Sequence, residues 1–248
     1  MLVTGGGTGI GRGISEAFAR EGATVAINFH VSRDDAEAAA QDICTQGGRA
    51  ITAQANVSSQ TEVRDMVEGI GKQFGRLDVL VNNAGWSTRV PHEQLDSLTD
   101  DIWDRTLNTN LRGAFYCVRA AMPWLRKQSG ASIVNVASVA GISGMGSSIV
   151  YAASKGAMIT MTKSLARALA PEVRVNAVAP GFVRTRFANW PQSAFDEGEA
   201  QTPIGKLATT DDIAETVLFL AGSPAVTGEV VVVDGGTTVL GPRFRKHV

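Results

Sequence analysis

Short runs of β-branched residues alternate with amphipathic segments along the whole chain, and this alternation restricts the possible folds more than any other feature of the sequence. Between the runs, apolar residues recur at helical spacing, as Val63, Val67 and Ile70 do. Strands that alternate with helices form βαβ units with right-handed crossovers, which build a mainly parallel sheet covered by helices on both faces. The sequence therefore predicts an α/β fold with a single doubly wound sheet. The predicted strands are 2–4, 24–29, 50–55, 78–82, 132–137, 174–178 and 229–234.

Charge and composition exclude several functional classes. The formal net charge is −1, so no overall basic field attracts nucleic acid or an anionic membrane. The longest uncharged run, 128–154, is interrupted by Gly, Ser and Asn and is not predicted to span a membrane. Cys44 and Cys117 form no CxxC motif, and the three histidines show no metal-ligand spacing. No signal-like segment opens the sequence. We expect a single cytoplasmic domain over 1–248, without metal, nucleic acid or membrane partners and with a short basic tail at 242–248.

A glycine-rich turn joins the first predicted strand to the first predicted helix. It reads TGGGTGIG from Thr4 to Gly11. Gly5, Gly9 and Gly11 permit a tight turn and a close approach of the backbone to phosphate, and the N–H groups that begin the helix then face the phosphates. The spacing is GxxxGxG rather than GxGxxG, but its place between a strand and a helix predicts the diphosphate site of a dinucleotide.

The end of the second predicted strand distinguishes NADP(H) from NAD(H). An acidic residue is expected there when a protein binds the 2′-hydroxyl of NAD(H). The sequence instead has His30, Ser32 and Arg33, whose side chains can donate hydrogen bonds to a 2′-phosphate. The alternative is that Arg33 begins a solvated helix and His30 merely ends a strand. We expect NADP(H) rather than NAD(H).

Other polar or turn-forming residues follow the later strands. Asn56 follows the third strand, the segment NNAG (82–85) the fourth, Ser138 the fifth, and Pro180 with Gly181 the sixth. Each would also suit an ordinary turn. The carboxyl ends of parallel strands share one edge of the sheet, however, and ligands bind along that edge. We therefore expect these residues to line one site.

Tyr151 and Lys155 stand one helical turn apart in the segment YAASK. An ammonium group beside a phenol favours the phenolate and lowers a pKa that is ordinarily about 10. Such a tyrosine exchanges a proton with a carbonyl or alcohol oxygen, and Ser138 would donate a hydrogen bond to the same oxygen. The alternative is a tyrosine packed on the core beside a solvated lysine. Together with the glycine turn, the three residues predict hydride transfer between a nicotinamide and a ketone or secondary alcohol.

The chain carries, in this order, the motifs TGGGTGIG, NNAG, LNTNLRG, Ser138, YAASK, APGFVRT and VDGG. In their order and spacing these motifs resemble the short-chain dehydrogenase/reductase family over essentially the whole length. The resemblance implies a Rossmann-type, NAD(P)-binding sheet ordered 3-2-1-4-5-6-7 and oxidoreductase activity, similar to 3-oxoacyl-[acyl-carrier-protein] reductases and glucose 1-dehydrogenases. The catalytic residues that it implies are Ser138, Tyr151, Lys155 and Asn110, the last as support for a proton-relay water. The cofactor-binding residues, including those argued above, are Gly5, Thr8, Gly9, Ile10, Gly11, His30, Ser32, Arg33, Asn56, Val57, Asn83, Ala84, Gly85, Tyr151, Lys155, Pro180, Gly181, Val183 and Thr185.

Three positions depart from the family pattern. Thr8 stands where many NADP-preferring relatives carry a basic residue, and Asn56 replaces an aspartate near the adenine. The turn 170–175 lacks a basic residue that is common in acyl-carrier reductases, which disfavours an acyl-carrier substrate.

The irregular stretch 184–210 corresponds to the substrate lid of the family. Three large residues near it would suit a partly apolar substrate, whereas three basic ones would suit an anionic or polyol group. The apolar residues are Trp86, Met145 and Trp190, and the basic residues are Arg89, His92 and Arg186.

The helices expected at 103–128 and 151–169 carry apolar residues beyond one core face. The family packs these helices between subunits, so the resemblance implies a homodimer or homotetramer. Two other functions stay open on the sequence alone. One is a catalytically silent nucleotide-binding regulator, and the other is an epimerase or dehydratase that works through transient oxidation.

Overall fold

A computed structural model describes residues 1–242, and its centre is one parallel sheet. The strands are β1 (Leu2–Val3), β2 (Thr24–Phe29), β3 (Arg49–Gln54), β4 (Val79–Asn82), β5 (Ser132–Val136), β6 (Arg174–Pro180) and β7 (Val230–Val233). Their order, β3-β2-β1-β4-β5-β6-β7, confirms the predicted doubly wound fold, and the strand ends differ only slightly from the predicted ones. Apart from Pro242, the predicted basic tail lies outside the described residues.

Helices cover both faces of the sheet, and a π-helical turn at Asn108–Arg112 joins two of them. Short 3-10 turns lie at Leu95–Ser97 and Phe187–Asn189. The helices are α1 (Gly9–Arg20), α2 (Arg33–Thr45), α3 (Gln60–Phe74), α4 (Asp100–Leu107), α5 (Gly113–Leu125), α6 (Ala140–Ser143), α7 (Ile149–Leu169), α8 (Gln192–Gln201), α9 (Thr210–Gly222) and α10 (Thr237–Leu240).

The two largest hydrophobic cores lie between the sheet and its helices. Leu2 and Val3, neighbours in β1, pack into different cores because successive side chains of a strand point to opposite faces. The core of Val3 includes Ile14 of α1 and Ile213 of α9, whereas the core of Leu2 includes Leu125 of α5. Since both faces are covered, the carboxyl edge of the strands is where the sheet can receive a ligand.

The stretch 184–210 is more regular than the sequence indicated, because residues 192–201 form α8. Phe195 is buried and packs edge-on against Phe182, with 6.1 Å between the ring centroids. Arg184 reaches the carboxylate of Glu199 at 2.6 Å, across one face of the helix. These contacts join α8 to Phe182 and Arg184 at the start of the stretch, so the helix depends on tertiary packing rather than on a local pattern.

None of the helices within residues 1–242 has the length and apolar character needed to cross a bilayer. In the same part of the chain, no group of His, Cys, Asp and Glu side chains is arranged to hold a metal ion.

Candidate active site

The carboxyl ends of all seven strands open into one cavity of about 1130 Å³. Most of the residues predicted for the site line it, as the strand-edge argument requires. Gly11, Arg33 and Asn110 do not line it. The predicted residues that do are Gly5, Thr8, Gly9, Ile10, His30, Ser32, Asn56, Val57, Asn83, Ala84, Gly85, Ser138, Tyr151, Lys155, Pro180, Gly181, Val183 and Thr185.

The glycine-rich turn is packed too closely for side chains. Gly5 and Gly9 have φ of 60° and 50°, in the left-handed region that glycine adopts without strain. Gly11 stands behind the cavity wall, where a Cβ atom would lie 2.2 Å from the carbonyl oxygen of Gly5. The first turn of α1 contains no acidic residue. A bare turn at a helix N-terminus, free of negative charge, fits a diphosphate group.

Hydrogen bonds fix the end of β4 to this turn. The Nδ2 atom of Asn83 donates to the carbonyl oxygens of Thr4 and Gly5 at 2.9 and 3.0 Å. The Thr4 hydroxyl accepts from the N–H groups of Asn83 and Ala84 at 3.0 and 2.9 Å. The two strand ends therefore form one rigid floor beneath the cavity.

The end of β2 differs from the prediction at one residue. His30 and Ser32 line the cavity, but Arg33 donates to the Gln54 side chain at 2.6 Å and pairs with Glu37 at 3.2 Å. Arg33 therefore does not line the cavity in this conformation, because α2 places Glu37 one turn further along on the same side, and its role toward the cofactor stays a prediction. Asp35, which the sequence argument missed, lines the cavity instead.

Asn56 begins a turn rather than pointing freely at the cavity. Its Oδ1 atom accepts from the N–H group of Ser58 at 3.0 Å, and its own N–H group donates to Glu62 at 2.8 Å. The amide thus shapes the chain between β3 and α3, next to Val57 in the cavity wall.

Ser138, Tyr151 and Lys155 meet on one wall of the cavity. Ser138 follows β5, and its hydroxyl accepts from the N–H group of Ala140 at 3.1 Å. Tyr151 lies in the first turn of α7, where its N–H group donates to the Ser148 side chain at 3.3 Å. The Nζ atom of Lys155 lies 5.8 Å from the centroid of the Tyr151 ring.

Burial is the main influence on the pKa values of Tyr151 and Lys155 in this wall. It raises the pKa of Tyr151 to about 12, and the Ser138 hydroxyl partly opposes that rise. Burial also lowers the pKa of Lys155 to about 8. The prediction that lysine would lower the pKa of this tyrosine is therefore wrong, because burial outweighs the other influences on the phenol. The Lys155 ammonium donates to the carbonyl oxygen of Val136 at 2.7 Å, and the low polarity around both groups penalises their charged forms.

Asn110 lies in the π-helical turn and is fully buried behind the cavity wall. Its Oδ1 atom accepts from the N–H group of Trp86 at 2.7 Å, and its Nδ2 atom donates to the carbonyl oxygen of Trp86 at 3.0 Å and to Ser154 at 3.1 Å. Ser154 in turn donates to the carbonyl oxygen of Tyr151 at 2.7 Å. The amide group therefore connects the segment at Trp86 to the first turns of α7.

Comparison with known proteins identifies the family. A family model described as Enoyl-(Acyl carrier protein) reductase matches residues 5–238. The 3-oxoacyl-[acyl-carrier-protein] reductase of Staphylococcus epidermidis is 38% identical over 239 residues, which are 95% of this chain and 97% of that protein. A short chain dehydrogenase from Burkholderia cenocepacia, crystallised in complex with NADP, superposes with a TM-score of 0.88 at 36% identity and covers 96% of this chain and 97% of its own. The chain belongs to the short-chain dehydrogenase/reductase family. It is accordingly an oxidoreductase that transfers a hydride between a nicotinamide and a ketone or secondary alcohol.

Two further relatives match this short-chain dehydrogenase/reductase with similar identity and over nearly its whole length. The 3-oxoacyl-[acyl-carrier-protein] reductase of Thermotoga maritima is 37% identical over 242 residues, covering 96% of this chain and 97% of that protein. A structure described as an SDR:Glucose/ribitol dehydrogenase from Brucella melitensis has a TM-score of 0.88 at 35% identity and covers 95% of this chain and 94% of its own.

The substrate side of the dehydrogenase/reductase cavity is mainly aromatic. Trp86, Met145, Trp190 and Arg186 line it as expected, whereas Arg89 and His92 do not. Arg89 instead lies over the ring of Trp190, with its Cζ atom 5.1 Å from the ring centroid.

Several lining residues besides Asp35 were not predicted from the sequence, and Arg105, Phe187 and Gly7 are three of them. Arg105 lies over the Trp86 ring, 4.3 Å from its centroid, and Phe187 lies 5.7 Å from the Tyr151 ring. Gly7 packs on α2, where a Cβ atom would be 2.7 Å from the Cα atom of Ala36. Gly7 belongs to the glycine-rich turn Thr4–Gly11, so its place in the sequence already indicated a position at the cavity. The orientation of α4, which brings Arg105 to the cavity, has no local signal in the sequence.

Proposed function

We propose that this protein is an NADP(H)-preferring carbonyl reductase or alcohol dehydrogenase in which Tyr151 is the catalytic acid and base. The observation that carries the proposal is the meeting of Tyr151, Ser138 and Lys155 on one wall of a cavity whose other end is a bare glycine turn at a helix N-terminus.

Tyr151 exchanges the proton. Because its pKa is raised to about 12, the phenol is protonated at neutral pH and donates its proton to the oxygen of a ketone as the carbonyl carbon receives a hydride. Ser138 donates a hydrogen bond to the same oxygen as negative charge develops there. The Lys155 ammonium, charged below about pH 8, stabilises the phenolate that remains. In alcohol oxidation the same phenolate recovers the proton.

The cofactor would supply or accept the hydride. We assign its diphosphate to the turn of Gly5, Thr8, Gly9 and Ile10, with Gly11 as a packing residue behind the turn. The nicotinamide and its ribose are assigned to Tyr151, Lys155, Pro180, Gly181, Val183 and Thr185. The adenosine and ribose side is assigned to Asn83, Ala84 and Gly85.

The preference for NADP(H) rests on the end of β2. His30 and Ser32 line the cavity there and are neutral or positively charged donors, and the related structure from Burkholderia cenocepacia contains NADP. Asp35 is the one acidic lining residue at this end, and its carboxylate is paired with Arg186 at 2.9 Å.

The substrate is proposed to be a partly apolar ketone or alcohol, held under a lid formed by residues 184–210. The aromatic rings of Trp86, Trp190 and Phe187 would cover its apolar part. The names of the relatives make 3-oxoacyl thioesters the first class to test, although the turn 170–175 carries no basic residue for an acidic carrier protein before Arg174. Arg174 itself donates to the carbonyl oxygen of Leu220 at 2.8 Å.

We also propose that residues 1–248 form a single domain, that the protein is a cytoplasmic homodimer or homotetramer, and that Asn110 acts as a positioning residue for Trp86 and α7. The apolar residues that support the oligomer are Phe115 and Trp103, which are 41% and 37% exposed on α5 and α4.

Paired titrations with NADPH and NADH, followed by tryptophan quenching, test the cofactor assignment. We expect NADPH to bind at least about tenfold more tightly, a difference of about 1.4 kcal/mol. Equal binding, or tighter binding of NADH, would contradict the preference.

The Tyr151→Phe variant tests the catalytic assignment. We expect ketone reduction to fall by about a thousandfold, because the proton donor is removed, while the Kd for NADPH changes little. Tyr116→Phe removes the other tyrosine of the chain and serves as the matched control. If Tyr151→Phe kept the activity of the control, Tyr151 would not be the acid.

A further inference from the structure

One ion pair connects the lid to the opposite side of the cavity. The Nη2 atom of Arg186 lies 2.9 Å from the Oδ1 atom of Asp35, although the residues are 151 positions apart in sequence. Both residues line the cavity. Thr185, the neighbour of Arg186, packs against the glycine turn, where a Cβ atom on Gly9 would lie 3.3 Å from its Cγ2 atom. The pair therefore joins the lid to α2 beside the turn assigned to the diphosphate.

The ion pair between Arg186 and Asp35 is exposed, so Arg186 can leave Asp35 for another anion at little cost in stability. The side chains of Arg186 and Asp35 are 74% and 40% exposed. Exposed ion pairs contribute little to stability, because solvent screens them and two side chains must be held in one geometry. A phosphate group can accept two parallel hydrogen bonds from one guanidinium, which makes it a stronger partner for arginine than a single carboxylate oxygen.

The residue after Arg186 stands against the proposed catalytic acid. The ring of Phe187 is 5.7 Å from that of Tyr151, and its Cε2 atom would lie 3.8 Å from a Cβ atom built on Gly85. Phe187 thus lies between Tyr151 and the end of β4, and under the proposed function a substrate carbonyl would approach the phenol from this side.

The two residues that follow Phe187 have a strained backbone. Ala188 and Asn189 adopt φ of 57° and 48°, a region that alanine in particular disfavours. A segment with such strain has an alternative conformation of lower local energy once its contacts are released. The strained backbone and the exposed ion pair therefore lie on either side of Phe187, whose ring contacts that of Tyr151.

We propose that Arg186 and Asp35 form an exchangeable latch: Arg186 leaves Asp35 for a phosphate group of the cofactor, and this movement takes Phe187 away from Tyr151. The inference rests on the proposed function, because it requires that the cavity binds a dinucleotide phosphate. The latch makes Arg186 a cofactor-binding residue and couples cofactor binding to substrate access.

A double-mutant cycle on the full chain tests the exchange. We expect Arg186→Gln to weaken cofactor binding by about tenfold, and Asp35→Asn to tighten it by about threefold because Arg186 is then free. In the Arg186→Gln background, Asp35→Asn should lose its effect, whereas simple repulsion between Asp35 and phosphate would leave that effect unchanged. Asp34→Asn, one position from Asp35, is the matched control for the lost carboxylate, and Arg20→Gln, an exposed residue on α1, is the control for the lost guanidinium.

Comparison of NADPH with NADH identifies the phosphate. If Arg186→Gln weakens both cofactors equally, the partner is the diphosphate that both contain. If it weakens NADPH alone, the partner is the 2′-phosphate. Either result supports the latch. Wild-type binding without any effect of Arg186→Gln would overturn the latch alone, whereas no binding of either cofactor by the wild type would overturn the proposed function and the inference with it.

The movement of Phe187 has its own readout. With 4-fluorophenylalanine incorporated at position 187, we expect the ¹⁹F resonance of the cofactor-free protein to shift in the Asp35→Asn variant, in the same direction as when NADPH is added to the wild type. The Asp34→Asn control should leave it unchanged. A resonance that responds neither to NADPH nor to Asp35→Asn would show that Phe187 does not move and would overturn the coupling.

Discussion

The Lys155 side chain is buried, so the positive charge of its ammonium group lowers the free energy of unfolding. Only 4% of the residue is exposed, and its ammonium donates one hydrogen bond, to Val136. The lowering of its pKa from 10.5 to about 8 corresponds to about 3 kcal/mol of unfavourable free energy when the group is charged at pH 7. The protein tolerates this loss of stability because the proposed proton transfer at Tyr151 requires the charged ammonium group of Lys155.

The Lys155→Met variant should therefore be more stable and inactive. We expect its free energy of unfolding at pH 7 to rise by about 2 kcal/mol, because about 1 kcal/mol is lost with the hydrogen bond to Val136. In the wild type the folded state binds fewer protons than the unfolded state between about pH 8 and 10.5, so its stability rises with pH in that window. The advantage of the variant should shrink accordingly.

Urea unfolding at several pH values measures this difference. Lys163→Met, an exposed substitution on the same helix, should show neither the gain at pH 7 nor its decline with rising pH. A Lys155→Met protein less stable than the wild type at pH 7 would contradict the argument.

The raised pKa of Tyr151 predicts a different pH dependence for each of the two reaction directions. Ketone reduction needs the protonated phenol, which is the prevailing form at every pH below about 12. Alcohol oxidation needs the phenolate, whose fraction rises with pH in that range. We expect kcat/KM for oxidation to rise between roughly pH 6 and 8, where Lys155 is still charged, while reduction changes little. Steady-state rates in both directions test this, and oxidation that is independent of pH would contradict it.

At the scale of elements, the junction between β1 and α1 depends on Gly11. A Cβ atom there would lie 2.2 Å from the carbonyl oxygen of Gly5 and 2.4 Å from the Nδ2 atom of Asn83. Gly11→Ala must therefore separate the glycine turn from the end of β4. We expect it to lower the free energy of unfolding by about 3 kcal/mol and to weaken cofactor binding.

Gly69 provides the matched control, since it is also helical but has no atom within 4 Å of a Cβ atom at its position in α3. Gly69→Ala should raise the free energy of unfolding by about 0.5–1 kcal/mol. Chemical denaturation of both variants gives the comparison. Equal effects of the two substitutions would contradict the packing argument.

The elements could be predicted from the sequence because their signals are local. β-branched runs mark the strands, and the residues after them, such as Ser138 and Pro180, reach the cavity because all parallel strands end on one edge. The orientation of the Arg33 side chain could not be predicted from the sequence, since it depends on an ion pair with Glu37 and a hydrogen bond to Gln54 from another strand. The pKa of Tyr151 depends on burial, which spacing along the chain does not give.

At the scale of the whole molecule, both faces of the sheet are covered, yet large apolar residues remain on the outer surface. Trp103 on α4 and Phe115 on α5 are 37% and 41% exposed. Arg119 lies over the ring of Phe115 with its Cζ atom 5.7 Å from the centroid, so the ring is partly shielded by a cation but not buried. Exposed aromatic residues next to arginine are typical of the centre of a protein–protein interface.

Phe115→Glu should therefore dissociate the proposed oligomer. A carboxylate at the centre of an interface would be buried without a partner, which association cannot compensate. We expect the wild type to sediment as a dimer or tetramer and the variant as a smaller species with an unchanged circular dichroism spectrum. Leu95→Glu, at a residue that is 67% exposed on a short 3-10 turn, controls for the added charge and should keep the wild-type mass. If the wild type sediments as a monomer, the proposed oligomer does not form. If the Phe115→Glu protein keeps the wild-type mass, the subunits meet at another surface, and in either case the exposed ring has no role in assembly.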